Sequence, residues 1–217
     1  MVQRILSFSL VFFLSLACTK STGFKTPIID FDGDGKTDIT VYRFSTGTWH
    51  IKPSKSGIPY KIGYGGNPSD KPVPGDYDGD GRTDIAVYRA STATWHIRPS
   101  KSDTPYEIGW GGDPSDIPVP GDYDGDGKTD VAVYRARTGT WHIRHSKSDT
   151  PYEIGWGGDP SDIPVPGDYD GDGKTDCAIY RNGIWHIKPS KGRAPYEIGW
   201  GGDPTDLPIT MKSAFFN

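Results

Sequence analysis

Aspartates at 30, 76, 122 and 168 open segments that repeat at a spacing of 46 residues, and this period constrains the fold more than any other feature of the 217-residue chain. The repeating unit reads "PVPGDYDGDGKTDVAVYRARTGTWHIRHSKSDTPYEIGWGGDPSDI". Periods of roughly 20 to 50 residues belong to propellers, solenoids and arrays, in which each unit buries its apolar face only against a neighbour. Within one unit four short β signals, "IPVPGDYD", "VAVYR", "TWHIR" and "YEIGW", are separated by Gly, Pro, Asp and Ser turns, and helical periodicity is absent. Four strands in a unit of this length form the blade of a β-propeller.

Composition agrees with an all-β chain of many turns. Hydrophobic residues make up 34%, and there are 29 Gly and 19 Pro, which points to a thin core. Disorder is excluded by 7 Trp and 12 Tyr, because disordered chains are poor in aromatics. In "TWHI", Trp49, Trp95, Trp141 and Trp185 alternate with polar neighbours and are expected in the core, with His50, His96, His142 and His186 on the other strand face.

The first 27 residues read as a separate segment. Arg4 precedes an apolar run from Ile5 to Leu16, too short for a membrane-spanning helix but of the length of a secretory signal, so residues 1–17 are expected to be a signal peptide. The run ends in Ser15-Leu16-Ala17-Cys18, which resembles a bacterial lipobox with Ser15 as its departure. On that reading Cys18 is lipidated, residues 18–27 tether a repeat domain at 28–217, and the protein is an outer-membrane lipoprotein of the cell envelope. The alternative is ordinary cleavage after Ala17 and secretion. Cys177 stands where other units carry Ile39, Ile85 and Val131 and reads as a small buried hydrophobe. No disulfide framework is available, so an exported chain needs another staple.

The aspartate loop supplies it. Counting from Asp122, carboxylates fall at positions 1, 3, 5 and 9 (Asp122, Asp124, Asp126, Asp130), with Gly127 at position 6 to allow a sharp turn. This matches the first half of an EF-hand, but position 12 is Val133, so the bidentate Glu of that motif is missing. Asp130 is expected to close the site, with the carbonyl of Lys128 and water completing an all-oxygen shell suited to calcium. Equivalent sets are Asp30, Asp32, Asp34, Asp38 with Lys36; Asp76, Asp78, Asp80, Asp84 with Arg82; and Asp168, Asp170, Asp172, Asp176 with Lys174. About four Ca²⁺ ions are therefore expected. Without metal, four negative charges per loop oppose compaction, so metal binding is expected to contribute to folding free energy.

The unit resembles the FG-GAP/VCBS repeat, the blade unit of integrin α-subunit propellers and of many bacterial surface proteins. The aspartate loop carries the resemblance through residues 28–217; the literal Phe-Gly and Gly-Ala-Pro signatures are missing, so the likeness is to the bacterial branch. It implies a propeller and bound calcium.

Sequential strands put the aspartate loops and the basic "RPSKS" turns on one face, and the "STGT" turns and "GWGGDPSD" crossovers on the other. Tyr64, Trp110, Trp156 and Trp200 lie in those crossovers, where they either stack on sugar rings of a ligand or pack between blades. Four units carry a fifth copy of the first strand in "LPITM". A four-bladed monomer, with the extra strand covering an edge, is the expected architecture; an open array and a propeller completed by a second chain are the alternatives.

Nearly every polar residue recurs in each unit, which leaves no single asymmetric catalytic constellation and argues against an enzyme. Nothing resembles a nucleic-acid module. The expected role is a calcium-stabilised, lipid-anchored adhesion module that binds glycans or proteins. A structural scaffold in an envelope complex and a secreted, non-lipidated lectin are the other readings.

Overall fold

A computed structural model describes residues 29–209. Residues 1–28 and 210–217, where the expected signal peptide, Cys18, the expected tether and the end of "LPITM" fall, lie outside the described residues. Fifteen strands and no helix occur among the described residues. The first blade has β1 (Ile39–Arg43), β2 (Thr48–Lys52) and β3 (Tyr60–Gly63). The second has β4 (Asp70–Pro72), β5 (Ile85–Arg89), β6 (Thr94–Arg98) and β7 (Tyr106–Gly109). The third has β8 (Asp116–Pro118), β9 (Val131–Arg135), β10 (Thr140–Arg144) and β11 (Pro151–Gly155). The fourth has β12 (Ile163–Pro164), β13 (Cys177–Arg181), β14 (Ile184–Lys188) and β15 (Tyr196–Gly199).

Each set forms its own antiparallel sheet in chain order, so the chain is a four-bladed β-propeller with one blade per 46-residue unit. The first described sheet has three strands and the others four. Alternation decides what each strand buries: in β10, Trp141 and Ile143 are fully buried, while Thr140, His142 and Arg144 are only partly covered. The fourth blade uses a shorter hairpin, in which Asn182 (φ 48°) and Gly183 (φ 81°) link the paired Arg181 and Ile184. Two left-handed residues are what a two-residue hairpin turn requires.

The core lies between blades rather than within them. Trp95 and Ile97 of the second blade pack with Val131 and Val133 of the third, and Trp141 and Ile143 of the third pack with Cys177 and Ile179 of the fourth. Phe31, Trp49 and Ile51 meet Ile85 and Val87 in the same way. Cys177 is buried and its thiol is pushed far up by desolvation, the behaviour of a packing group.

Among the described residues, the outward faces of the first and fourth blades are less covered than the faces between blades. Ile39 and Val41 are 69% and 60% exposed, whereas their equivalents Ile85 and Val87 are 4% and 0% exposed. Trp200 is 79% exposed at the other end. Among the described residues, no contact joins a strand of the first blade to one of the fourth in a shared sheet.

Candidate functional site

In three blades the aspartate loop runs from a bridge to the start of the next strand: Gly121 pairs with Asp130, Gly75 with Asp84 and Gly167 with Asp176; in the first, the Asp38 amide donates to the Ile29 carbonyl at 2.6 Å. Gly127 takes φ 87° at the bend. The first carboxylate organises the loop: Asp122 accepts the amides of Gly125 (2.7 Å) and Asp126 (3.2 Å) on Oδ1 and that of Gly127 (2.9 Å) on Oδ2. Asp130 accepts the Tyr123 amide at 2.8 Å on Oδ2. Tyr123 in turn is anchored by its hydroxyl, which donates to the Val119 carbonyl at 2.8 Å. Phe31 replaces this tyrosine in the first blade and has no such bond to make.

The basic hairpin closes over the acidic loop, a link that the sequence reading placed on the same face but did not foresee as a direct contact. Ser146 donates its amide to Asp130 Oδ1 at 2.7 Å and its hydroxyl to Asp126 Oδ2 at 3.0 Å. Ser54, Ser100 and Ser190 repeat both bonds to Asp38 and Asp34, Asp84 and Asp80, and Asp176 and Asp172. The signal was present as the invariant Ser of "KPSK", "RPSK" and "RHSK", 16 residues beyond position 9 in the first three units.

Ligand oxygens converge from positions 1, 3 and 9. Asp30, Asp32 and Asp38 bring carboxylate oxygens within 4.8 Å of one another, as do Asp76, Asp78 and Asp84; Asp122, Asp124 and Asp130; and Asp168, Asp170 and Asp176. The position-5 aspartates, Asp34, Asp80, Asp126 and Asp172, fall outside these triads because the serine hydroxyls and the position-7 amides hold them. Desolvation, reinforced by the neighbouring carboxylates, raises the carboxyl of Asp84 to about 6; desolvation likewise raises Asp130 to about 6 and shifts Asp76, Asp122 and Asp176 upward. Three hard oxygen donors whose charges are mutually uncompensated fit a divalent cation such as calcium. The cation would supply the compensating charge, and the residues of this chain hold the three oxygens in place through backbone and serine donors.

Position 7 has a second job. The side chains of Arg82, Lys128 and Lys174 lie against Gly33, Gly79 and Gly125 of the preceding blade, so that a Cβ on those glycines would come within 3.0, 2.9 and 2.9 Å of them. Lys36, in the first described blade, reaches its own Asp34 at 3.5 Å. Position 8 adds backbone bonds: the amides of Thr83, Thr129 and Thr175 donate to the carbonyls of Asp30, Asp76 and Asp122 at 2.6, 2.6 and 2.7 Å. The acidic loops of successive blades are thereby joined to each other.

The crossover aromatics separate into two groups. Trp110 and Trp156 are half-buried between blades, each donating its indole N–H at 3.0 Å to the carbonyl of the next blade's histidine, His142 and His186. Tyr64 packs in the same position between the first and second blades. The structure thus places these three as inter-blade groups, because the following blade covers them; Trp200 alone presents its ring to solvent. The strand histidines do not converge: His96, His142 and His186 each pair with a glutamate, Glu107, Glu153 and Glu197, and the only groups of metal-ligating side chains among the described residues are the four aspartate triads. His145, which breaks the repeat, lines a cleft of about 210 Å³ between the second and third blades together with Tyr106, Lys128 and Arg144.

No curated protein matches the chain. Among solved structures, a chain in "Crystal Structure of Mitotic Checkpoint Complex" is similar at 11% identity with a TM-score of 0.45, over 92% of this chain and 62% of that one; this chain thus spans less than two thirds of its length. The family described as FG-GAP-like repeat matches residues 30–87 and 122–179, each match running from an aspartate loop into the second strand of the next blade. With more than half of its residues matched, and with four loops of the same build, the chain belongs to the FG-GAP-like repeat family.

Proposed function

We propose that this protein is a calcium-stabilised, non-enzymatic binding module of the cell surface, carried as a lipoprotein through Cys18 and presenting its blades to glycan or protein ligands. The observation that carries the reading is the fourfold triad of carboxylates at positions 1, 3 and 9, each held by backbone amides and capped by a serine hairpin. Hard oxygen donors in a flexible loop suit calcium better than magnesium, which keeps its own waters and demands a stricter geometry. Because each site also lies beside the contact between blades, occupancy is expected to stiffen the array and so the surface it presents.

On the loop face, Lys128, His145 and Tyr106 line the inter-blade cleft beside the ion pair of Arg144 with Asp149, and Lys128, unpaired among the described residues, and the aromatic ring suit an acidic sugar. A glycan array probed with and without calcium tests the reading: calcium-dependent retention of acidic glycans is the expected result, and absence of any glycan retention in calcium favours a protein ligand. Mass measurement of the mature N-terminus tests the anchor, since a diacylated or triacylated Cys18 is expected and cleavage without lipid indicates secretion.

A further inference from the structure

We propose that, with calcium as the ion of these loops, each site is completed by the blade that follows it, so that calcium at one loop raises the affinity of the loops on either side. Three residues carry the link at each described joint: positions 7, 8 and 9 of a loop, which are Arg82-Thr83-Asp84, Lys128-Thr129-Asp130 and Lys174-Thr175-Asp176. The position-9 carboxylate belongs to the triad of its own blade. The two residues before it reach back to the loop of the preceding blade.

At the joint between the second and third blades, the Thr129 amide donates to the Asp76 carbonyl at 2.6 Å. Asp76 is the residue whose carboxylate builds the second loop, accepting the amides of Gly79 at 2.7 Å and Gly81 at 2.8 Å. Lys128 covers the same turn, where a Cβ on Gly79 would meet its side chain at 2.9 Å, and a Cβ on Gly75 would meet Thr129 Oγ1 at 2.7 Å. The third blade thus grips the second loop just before its first ligand, at that ligand and just after it. The joint ahead adds a bond: Thr83 donates its amide to the Asp30 carbonyl at 2.6 Å and accepts the Asp30 amide on its hydroxyl at 2.8 Å. Thr175 holds the Asp122 carbonyl at 2.7 Å in the same way.

Nothing in this grip requires an ion, but its firmness depends on one. Without a cation the carboxylates of Asp122, Asp124 and Asp130 repel one another, and Asp130 is the chain neighbour of Thr129, so a loosened triad loosens the hold on Asp76. An ion that neutralises the repulsion fixes Asp130 and, with it, the amide that positions Asp76. Linkage is reciprocal: a third site that strengthens the second is strengthened by it by the same factor. Thr83, Thr129 and Thr175 are therefore positioning residues for a ligand of the preceding blade. Repulsion between bound ions acts in the opposite direction, since a filled loop is more positive than an empty one, so a gain in affinity is specific to the backbone grip.

Calcium titration of isotope-labelled protein by NMR tests this, with the position-6 glycine amides, Gly35, Gly81, Gly127 and Gly173, reporting one loop each. In the parent the four resonances are expected to respond together over a steep titration, with a Hill coefficient above unity. Asp124→Asn, which removes one ligand of the third loop and none of the inter-blade bonds, is expected to raise the calcium midpoints at Gly81 and Gly173 by about 5- to 150-fold, the usual range of coupling between sites. Gly35, two joints away, is expected to move less. Lys128→Ala leaves every triad intact and uncovers Gly79, so it is expected to raise the midpoint at Gly81 more than at Gly35. Independent single-site curves in the parent, or midpoints at Gly81 and Gly173 that stay or fall in Asp124→Asn, overturn the coupling and leave calcium binding standing. An equal rise at Gly35, Gly81 and Gly173 marks a general loosening and overturns it too. Four resonances indifferent to calcium overturn the coupling together with the calcium reading on which it rests.

Discussion

Ser100 donates its amide to Asp84 at 2.6 Å, so the residue that closes a metal triad is held by a hairpin from the far end of the same blade. That bond, repeated in every blade, makes the metal loop and the basic hairpin one unit. Disturbing either is expected to be felt at the other.

Calcium removal is the first test. Three carboxylates within 4.8 Å of each other repel without a cation, and four such sites are present. Excess EDTA is therefore expected to lower the melting temperature by many degrees, and calcium to restore it, read by differential scanning calorimetry. An unchanged transition refutes a structural role for the metal.

The pH dependence has opposite signs in the two states. Asp84 and Asp130 are raised to about 6 in the folded protein by desolvation, above their unfolded value of 3.8. At these two groups the metal-free fold thus binds more protons than the unfolded chain between those values, so their contribution to stability is fully present below about pH 4 and is lost as pH rises through 6. Calcium needs the ionised carboxylates, so its stabilising increment is expected to grow over the same interval. Melting temperatures with calcium and with EDTA, compared at pH 5 and pH 7.5, should converge at the lower pH.

Positions 3 and 5 of a loop are expected to differ. Asp124→Asn removes charge from the triad and should lower the calcium stoichiometry by one in isothermal titration calorimetry. Ser146→Ala removes only the hydroxyl bond to Asp126, so it should leave the stoichiometry intact and cost about 1 kcal/mol of stability. Equal stoichiometries for the two variants contradict the assignment of the triad to positions 1, 3 and 9.

Gly121 marks the close approach of two blades: a Cβ there would lie 2.6 Å from Thr175 Oγ1 in the next blade. Gly121→Ala should destabilise the protein by about 1–3 kcal/mol through overpacking. Gly109→Ala, in β7 with no atom near its added methyl, should be close to neutral in chemical denaturation.

Trp141 is fully buried and donates its indole N–H to the Trp156 carbonyl at 3.0 Å. Trp141→Ala is expected to cost about 3–5 kcal/mol from the cavity it leaves. Trp185 of the last described blade is only half-buried, and the same change there should cost less.

The blades, the buried tryptophans and the acidic loops were legible in the sequence because each depends on neighbours a few residues apart and is written four times. Strand alternation placed Trp95 and Trp141 inside without any knowledge of what they touch, and the spacing of Asp122, Asp124 and Asp130 held a cation site by loop geometry alone. Sequence spacing treated Asp126 as a fourth ligand, and only the fold brought Ser146 across to engage it.

Likewise, Trp110, Trp156 and Trp200 occupy the same place in the repeat, and local sequence has no means of separating them. The tertiary structure separated them because a side chain's environment is set by the blade that follows: Trp110 and Trp156 have one within this chain, and Trp200 stands exposed among the described residues. The sequence by itself thus determined the repeating unit and its acidic loops through short-range spacing. The tertiary structure decided which equivalent residues are joined between blades and which are left as open faces, because that depends on contacts between units rather than on the pattern inside one.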